Sequence, residues 1–140
     1  MEKIYICSGI GIVGSFIGEL FNWNEWMTTL LIFMVLDYLT GLIVAGVFKK
    51  SPKTQDGSLE SKTGWRGLAK KFSTLILVLV AVRLDLLLGT DYIQSAVILA
   101  FCANEVISLI ENVGLMGVKI PPVISKAISL LNEKGDNETK

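Results

Sequence analysis

Long apolar blocks alternate with short polar connections along this sequence. The apolar blocks cover residues 4–20, 26–48, 72–89 and 91–110. A helix needs about 20 residues to cross the roughly 30 Å hydrocarbon layer of a membrane. Each block therefore predicts a spanning helix, which makes four. The first block is rich in glycine and marginal in length, and it also fits a helix lying in the membrane interface, which would leave three spans and an external N-terminus.

A shorter amphipathic pattern follows the last block. From Pro122 to residue 132, apolar residues recur at helical spacing with polar residues opposite. Proline is well placed as the first residue of a helix, because its missing N–H has no partner there. This segment is too short to span, so we expect it on the inner membrane surface or against a neighbour. Residues 135–140 predict a polar, disordered tail. The whole chain, 1–140, is thus predicted to be one all-α integral membrane domain.

The positive charges fix a predicted orientation. Composition is 51% hydrophobic and 19% charged, and twelve of the thirteen Lys and Arg residues fall at the N-terminus, in the segment 49–71, or after residue 118. The connections 21–25 and 89–92 contain none. Because cytoplasmic loops of membrane proteins are enriched in Lys and Arg, the 49–71 loop is predicted to be cytoplasmic. Four spans then place both termini in the cytoplasm.

The second half of this basic loop has a pattern of its own. Trp65, Leu68 and Phe72 recur at helical spacing beside four basic residues: Lys62, Arg66, Lys70 and Lys71. One interpretation is a short helix on the anionic inner leaflet, where each basic residue contributes about 1 kcal/mol. The other is a solvated connector that only sets the topology.

Five polar residues within the apolar blocks are candidates for a function: Asp37, Arg83, Asp85, Asn104 and Glu105. A charge inside a membrane costs at least a few kcal/mol, so each needs a partner or water. Arg83 and Asp85 are two residues apart and face different sides of one helix. We therefore expect their partners on other helices or other copies, with Arg83–Asp37 and Arg83–Glu105 as the first pairs to consider.

These charges have two interpretations. They could lock helices together, since buried ion pairs fix the register between packed elements. They could instead line a water-filled interior in an assembly, because four short helices enclose little space alone. The second interpretation is favoured, and it implies a homo-oligomer.

Small residues predict close helix contacts. Gly14 and Gly18 form a GxxxG pair in the first block, and Gly41 and Ala45 repeat the spacing in the second. Such faces allow backbones to approach closely in lipid. The contacts could form within one chain or between copies.

Residue types that support catalysis are missing. The sequence has no histidine, the commonest metal ligand and proton shuttle. It also has no phosphate-binding loop and no plausible nucleophile–base pair. We expect no enzymatic activity, no metal or cofactor, and no nucleic-acid partner.

Three motifs carry a resemblance. They are Asp37-Tyr38-Leu39-Thr40-Gly41, the stretch 61–71, and 104–112, which includes Glu111 and Asn112 and is followed by Gly114, Gly117, Pro121 and Pro122. From about Trp26 to Leu131 the chain resembles phage holins of the group that includes clostridial toxin-secretion holins.

The resemblance implies a protein of the bacterial host's cytoplasmic membrane that assembles with itself into lesions. These lesions release an endolysin, or a toxin in related systems, without requiring direct contact with it. No catalytic residues carry over.

Two other classes stay open at this point. A small proton-coupled cation transporter could use Asp37 or Glu105. A membrane anchor could recruit partners through the basic loop. The size of the molecules that cross the membrane distinguishes the holin, the transporter and the anchor, since a transporter passes only small solutes and an anchor passes none.

Overall fold

Helices joined by turns and one longer loop make up the described chain. A computed structural model describes residues 2–138, with side-chain positions for residues 6–130 and Glu133. Its helices are α1 (Glu2–Leu20), α2 (Glu25–Ile43), α3 (Ser61–Leu88), α4 (Ile93–Leu115) and α5 (Pro122–Glu138). A π-helical segment, Val44–Phe48, extends α2. No strand occurs in residues 2–138, so the all-α prediction is confirmed for this range.

Three helices form the core. α4 contacts both α2 and α3, and each of the three contributes apolar side chains to one buried cluster. Its members are Met27, Leu30, Met34, Val78, Ile98 and Cys102. Asn24 starts α2 because its side chain accepts a hydrogen bond from the N–H of Met27 at 3.0 Å.

α1 stands apart from this core. It makes no extensive contact with another helix, and Ile10, Ile12 and Phe16 are 68%, 71% and 64% exposed. No atom would lie within 4 Å of a Cβ placed on Gly14. A soluble monomer rarely leaves so continuous an apolar surface uncovered, so α1 is suited to contact lipid or another copy of the chain.

Among the described residues, two helices are long and apolar enough to cross a membrane, Glu25–Phe48 and Ile93–Leu115. The apolar part of α1, Ile6–Leu20, is shorter. The third apolar block forms the C-terminal part of α3, and the helix ends at Leu88. This C-terminal part carries two charged residues. The fold is that of an all-helical protein with two candidate spans, and the four-span topology stays a prediction.

α3 is longer than the sequence predicts. It begins at Ser61 and runs without interruption into the third apolar block, so the stretch 61–71 is not a separate surface helix. The hydroxyl of Thr63 donates to the Glu60 carboxylate at 2.9 Å and ties down its first turn. Gly64 and Gly67 lie within this helix, and the Tyr38 side chain packs beside both: a Cβ on Gly64 would lie 3.6 Å from the Tyr38 hydroxyl oxygen, and one on Gly67 would lie 3.8 Å from a ring carbon.

The last two helices also extend beyond their predicted ends. α4 continues to Leu115, and the chain then turns at Gly117, whose φ of 88° favours glycine. α5 begins at Pro122, where the sequence places its first residue, and continues to Glu138. Residues 135–138 are therefore helical where a disordered tail was expected, and 139–140 lie outside the described residues.

The two connections without cations meet at one end of the molecule. The side-chain amide of Asn22 donates to the Gln94 carbonyl oxygen at 3.3 Å, and the Gln94 amide donates to the backbone oxygen of Phe21 at 2.8 Å. Gln94 is 4% exposed. The α1–α2 and α3–α4 turns thus share one side of the bundle, as the predicted topology requires.

Candidate functional site

One lysine joins all three core helices. The Lys71 ammonium group in α3 donates to Oδ2 of Asp37 in α2 at 2.7 Å. It also donates to Oε2 of Glu105 in α4. The side chains of Lys71, Asp37 and Glu105 are only 17%, 8% and 13% exposed. These three residues are called the ion-pair cluster below.

A buried amide completes the cluster. Nδ2 of Asn112 donates to Oδ1 of Asp37 at 3.1 Å, to the Asp37 backbone oxygen at 3.3 Å and to the Thr40 hydroxyl at 3.1 Å. Glu105, Ser108 and Asn112 recur at helical spacing and share one face of α4. Every buried side-chain nitrogen or oxygen in the described part of the chain has a hydrogen-bond partner. The polar interior is fully satisfied, which a low-dielectric environment requires.

The charges in the cluster do not balance. Two carboxylates face one ammonium group, so the three side chains together carry an excess of one negative charge when all are ionised. Their attraction offsets the cost of removing them from water only while all partners are present. The arrangement can therefore hold three helices in register.

The cluster borders a cavity of about 400 Å³ that has both polar and apolar walls. Its walls come from the end of α2, the loop 51–60, the first half of α3 and one face of α4. Acidic and amide groups contribute one part of the lining, and Lys53, Arg66 and Lys70 contribute another. The cavity lies at the end of the bundle opposite the two cation-free turns, among the basic residues predicted to be cytoplasmic.

The loop that closes this cavity depends on a glycine. The N–H of Ser51 donates to the Gly57 carbonyl at 3.0 Å, which folds the loop back on itself. Gly57 has a φ of 75°, and a Cβ there would lie 2.2 Å from the backbone oxygen of Lys49. Only glycine fits this position without displacing the backbone.

A second local device orders the same loop. The Ser58 hydroxyl donates to Oδ2 of Asp56 at 2.7 Å, and the Ser58 N–H donates to Oδ1 at 3.1 Å. These hydrogen bonds stabilise the carboxylate and hold the pKa of Asp56 below its usual value. The hydroxyl of Thr54 donates to the Ser58 carbonyl at 3.0 Å. The loop is therefore a defined cavity wall, where the sequence indicated only a connector.

Within one chain, Arg83 does not form either of the pairs predicted for it. Arg83 is exposed and forms no ion pair with Asp37 or Glu105, both of which bind Lys71. Arg83 follows Lys71 by twelve residues of continuous helix, a separation of about 18 Å. Lys71 was assigned to the inner-leaflet loop, but it points into the bundle. Lys62, Arg66 and Lys70 are exposed.

Within the chain, Asp85 holds a turn together. Its carboxylate accepts hydrogen bonds from the Thr90 hydroxyl at 2.6 Å, the Ile93 N–H at 3.0 Å and the Gln94 N–H at 2.8 Å. The last two are unpaired donors at the start of α4, which a carboxylate caps well. Asn104 is exposed and borders the cavity next to Glu105.

The two small-residue pairs occupy different surroundings. A Cβ on Gly41 would lie 3.7 Å from Nδ2 of Asn112, and Ala45 is buried, so this pair faces the interior of the chain. Gly14 has open space beside it, and the nearest atom to a Cβ on Gly18 belongs to Trp23 in the following turn. The Gly14–Gly18 face thus has no partner helix within the described chain.

Residues of the third motif have separate roles. Asn112 is buried in the cluster, whereas Glu111 and Gly114 are exposed. Gly117 turns the chain after α4, and its N–H donates to the Gly114 carbonyl at 2.9 Å. The carbonyl of Pro121 accepts from the Ile124 N–H at 3.0 Å and helps start α5 at Pro122.

Sequence reasoning missed three polar contributors. Thr40 and Ser108 each lie three residues after an acidic group of the cluster, and Gln94 stands in the first turn of α4. The helical spacing was a usable signal for the first two. Nothing in the sequence marked Gln94 as the link between two turns.

Comparison with known proteins places this chain among relatives of matching length. An uncharacterized protein of Listeria innocua is 40% identical over 99% of this chain and 95% of its own length. An uncharacterized protein of Clostridium perfringens is 40% identical over 97% of this chain and 98% of its own. The "Probable holin" of Bacillus phage phi105 is 30% identical over 86% of this chain and 84% of its own. No solved structure matches.

A family model points the same way. The model of the bacteriophage holin family matches residues 12–133, which include the ion-pair cluster, the cavity and most of α5. Membership implies a non-enzymatic role and a membrane location, in agreement with the two apolar helices. This chain belongs to the bacteriophage holin family.

Proposed function

We propose that this protein oligomerises in the bacterial cytoplasmic membrane and forms lesions that release an endolysin, or an exported toxin, and so trigger lysis of the host cell. The observation that supports this most is the match of the holin family model across residues 12–133, nearly the whole chain. The released protein need not contact the lesion-forming chain.

We infer that the described conformation precedes lesion formation. Asp37 and Glu105 both form ion pairs with Lys71 inside a single chain. Outward-facing positions such as Ile32 and Val35 are apolar and are 52% and 56% exposed. Apart from the exposed Arg83, the membrane-facing surface of such a chain is apolar, so it offers water no continuous charged path across the membrane. The chain can therefore accumulate in the membrane without making it leaky.

Contacts between copies require other residues. The unpartnered Gly14–Gly18 face of α1 and the exposed Arg83 are the candidates that the fold leaves available. In the proposed topology, the basic loop, the cavity and α5 lie on the cytoplasmic side together with both termini. The two cation-free turns then lie outside.

The test is timed co-expression with a cytosolic endolysin in a bacterial host. We expect culture turbidity to rise normally and then fall abruptly, together with collapse of the membrane potential and release of a cytosolic enzyme such as β-galactosidase. The endolysin alone, and the same gene with an early stop codon, are the controls. A gradual slowing of growth with the endolysin retained in the cells would contradict the proposal.

One observation supports a second candidate function. The two acidic side chains of the ion-pair cluster, which border the cavity and share one lysine, suit a proton-coupled cation transporter. Such a protein would pass protons or small cations but no folded protein. Release of β-galactosidase in the co-expression experiment excludes it, whereas leakage limited to ions favours it. A membrane anchor would give no leakage of either kind.

A further inference from the structure

Three basic side chains line the cavity without an acidic partner. Lys53, Arg66 and Lys70 contribute to its walls, and none of them forms an ion pair with any carboxylate in the part of the chain that the structure describes. The nearby carboxylate of Glu60 accepts a hydrogen bond from Thr63 instead. Lys71 is already bound to two carboxylates. The positive charge on this part of the cavity is therefore available to an anion.

The first half of α3 has the geometry of a helix at a lipid headgroup layer. Trp65, Leu68 and Phe72 follow one another at helical spacing and are 74%, 44% and 66% exposed. Arg66 and Lys70, four residues apart, lie on an adjacent face that lines the cavity. An exposed aromatic and apolar stripe next to a basic face is typical of helices that lie between acyl chains and phosphates.

The rest of the lining suits a headgroup that carries hydroxyls. Ser51, Thr54, Ser58 and Thr63 border the same cavity. The hydroxyls of Thr54, Ser58 and Thr63 donate within the chain, and their oxygen atoms can still accept hydrogen bonds from the hydroxyls of a glycerol headgroup. A volume of about 400 Å³ is within the range of small-molecule sites. A headgroup with a carboxylate of its own is disfavoured, because Asp37 and Glu105 border the same space.

We propose that this cavity binds the phosphodiester headgroup of an anionic glycerol-containing phospholipid. Arg66 and Lys70 hold the phosphate, with Lys53 on the loop side, and the glycerol contacts the hydroxyl residues. An arginine fork matches phosphate geometry and forms charge-assisted hydrogen bonds. The binding would order the loop 49–60 and the cytoplasmic half of α3. The proposal does not depend on lesion formation, since a headgroup site is compatible with each candidate function.

The experiment uses the purified full-length protein in phosphatidylcholine nanodiscs containing increasing fractions of phosphatidylglycerol. Bound phosphatidylglycerol is measured by native mass spectrometry after release into a nonionic detergent. We expect Arg66→Gln and Lys70→Gln each to weaken retention about tenfold, the effect of one charge-assisted contact. Arg66→Lys, which keeps the charge and loses the fork, should give a smaller loss.

The matched control is Lys50→Gln with Lys62→Gln. Both residues are exposed, basic and in the same segment, and neither lines the cavity. We expect this pair to reduce retention less than twofold. An equal loss in the control pair and in Arg66→Gln with Lys70→Gln would overturn the proposal, because it would mean diffuse attraction to an anionic surface.

Two further measurements distinguish a phospholipid from a soluble phosphate as the source of the bound phosphate group. Inorganic phosphate and soluble glycerol phosphate at millimolar concentration are added to the detergent-solubilised protein. We expect neither to displace phosphatidylglycerol, since the acyl chains add contacts beside Trp65 and Phe72. Displacement by either anion at these concentrations would overturn the lipid assignment, as would equal retention of phosphatidylcholine.

Discussion

The Lys71 ammonium group lies 2.7 Å from a carboxylate oxygen of Asp37, a residue 34 positions earlier in the chain and on another helix. Glu105 binds the same ammonium group from the third core helix. One side chain therefore keeps α2, α3 and α4 in register. The consequences of removing it are specific and measurable.

Lys71→Met should strongly destabilise the bundle. Removal of one partner from a buried ion pair costs about 3–5 kcal/mol, because the carboxylates of Asp37 and Glu105 are left unpaired. The free energy of unfolding can be measured by titrating dodecyl sulfate into mixed micelles. Lys62→Met is the control, since Lys62 is exposed and on the same helix. Lys71→Met combined with Asp37→Asn and Glu105→Gln should recover most of the stability, and a lack of recovery would show that the charges are not the cause.

Arg83→Leu should leave the stability of the isolated chain nearly unchanged. Arg83 is exposed and pairs with neither Asp37 nor Glu105, so no buried carboxylate loses a partner. If Arg83 contacts another copy, the same variant should shift the time of lysis in the co-expression experiment. A loss of stability comparable with that of Lys71→Met would contradict this assignment. Unchanged lysis time would remove Arg83 from the contacts between copies.

Asp85→Ala should loosen the start of α4. The carboxylate accepts from the N–H groups of Ile93 and Gln94, and loss of such a cap costs about 0.5–2 kcal/mol. Hydrogen exchange at these two amides should accelerate about tenfold. Asp91→Ala is the control, because Asp91 is exposed in the same turn. Equal acceleration in both variants would indicate a general effect of charge on the turn.

Gly57→Ala should disrupt the loop 49–60. The added methyl group would lie 2.2 Å from the Lys49 backbone oxygen, at a φ of 75° that L-residues rarely adopt. We expect limited proteolysis to cut this loop several times faster than in the native protein. Gly114→Ala provides the contrast, since open space surrounds Gly114 within α4 and alanine favours helix by up to about 1 kcal/mol. Equal protection of the loop in both variants would contradict the described backbone.

Oxidation should cross-link copies through Cys7 if the Gly14–Gly18 face joins them. Cys7, Gly11, Gly14 and Gly18 recur on one side of α1, and Cys7 is free and exposed while Cys102 is buried. Parallel pairing of two such faces brings the Cys7 residues within disulfide range. Copper phenanthroline treatment of isolated membranes should therefore give a dimer on a non-reducing gel.

The controls for this cross-link come from the same helix. Gly14→Leu should abolish the dimer by separating the two backbones. Gly9→Leu should preserve it, because residue 9 lies on the opposite side of α1. A dimer that survives Gly14→Leu would place the contact elsewhere.

Hydropathy predicted the helical class and the cores of α2 and α4 because apolar length is a local property of the sequence. Pro122 marked the start of α5 for the same reason, because the preference of proline for the first position of a helix is also a local property. The pairing of Lys71 could not be read in this way. Its position next to an apolar block matched that of a surface cation, and only the continuity of α3 directs it inward.

Other site features depend on contacts distant in sequence. The sequence predicts a charged partner for Asp85 on another helix, whereas its carboxylate accepts hydrogen bonds from backbone N–H groups at the start of the next helix. Gly57 gave no signal beyond an ordinary turn residue, because its constraint is the approach of the Lys49 carbonyl. Sequence patterns place residues on faces, while tertiary packing decides which faces meet.

The uninterrupted course of α3 has a mechanical consequence. At 28 residues it is a stiff rod of about 42 Å that carries basic residues near one end, the lysine that binds α2 and α4 in its middle, and the α4 cap at the other end. A rod without a hinge cannot tilt at one surface of the membrane without moving at the other. A displacement of the basic end of α3 should therefore also displace the turn at its other end. Lys71, where α3 is attached to α2 and α4, is the point about which the helix would pivot.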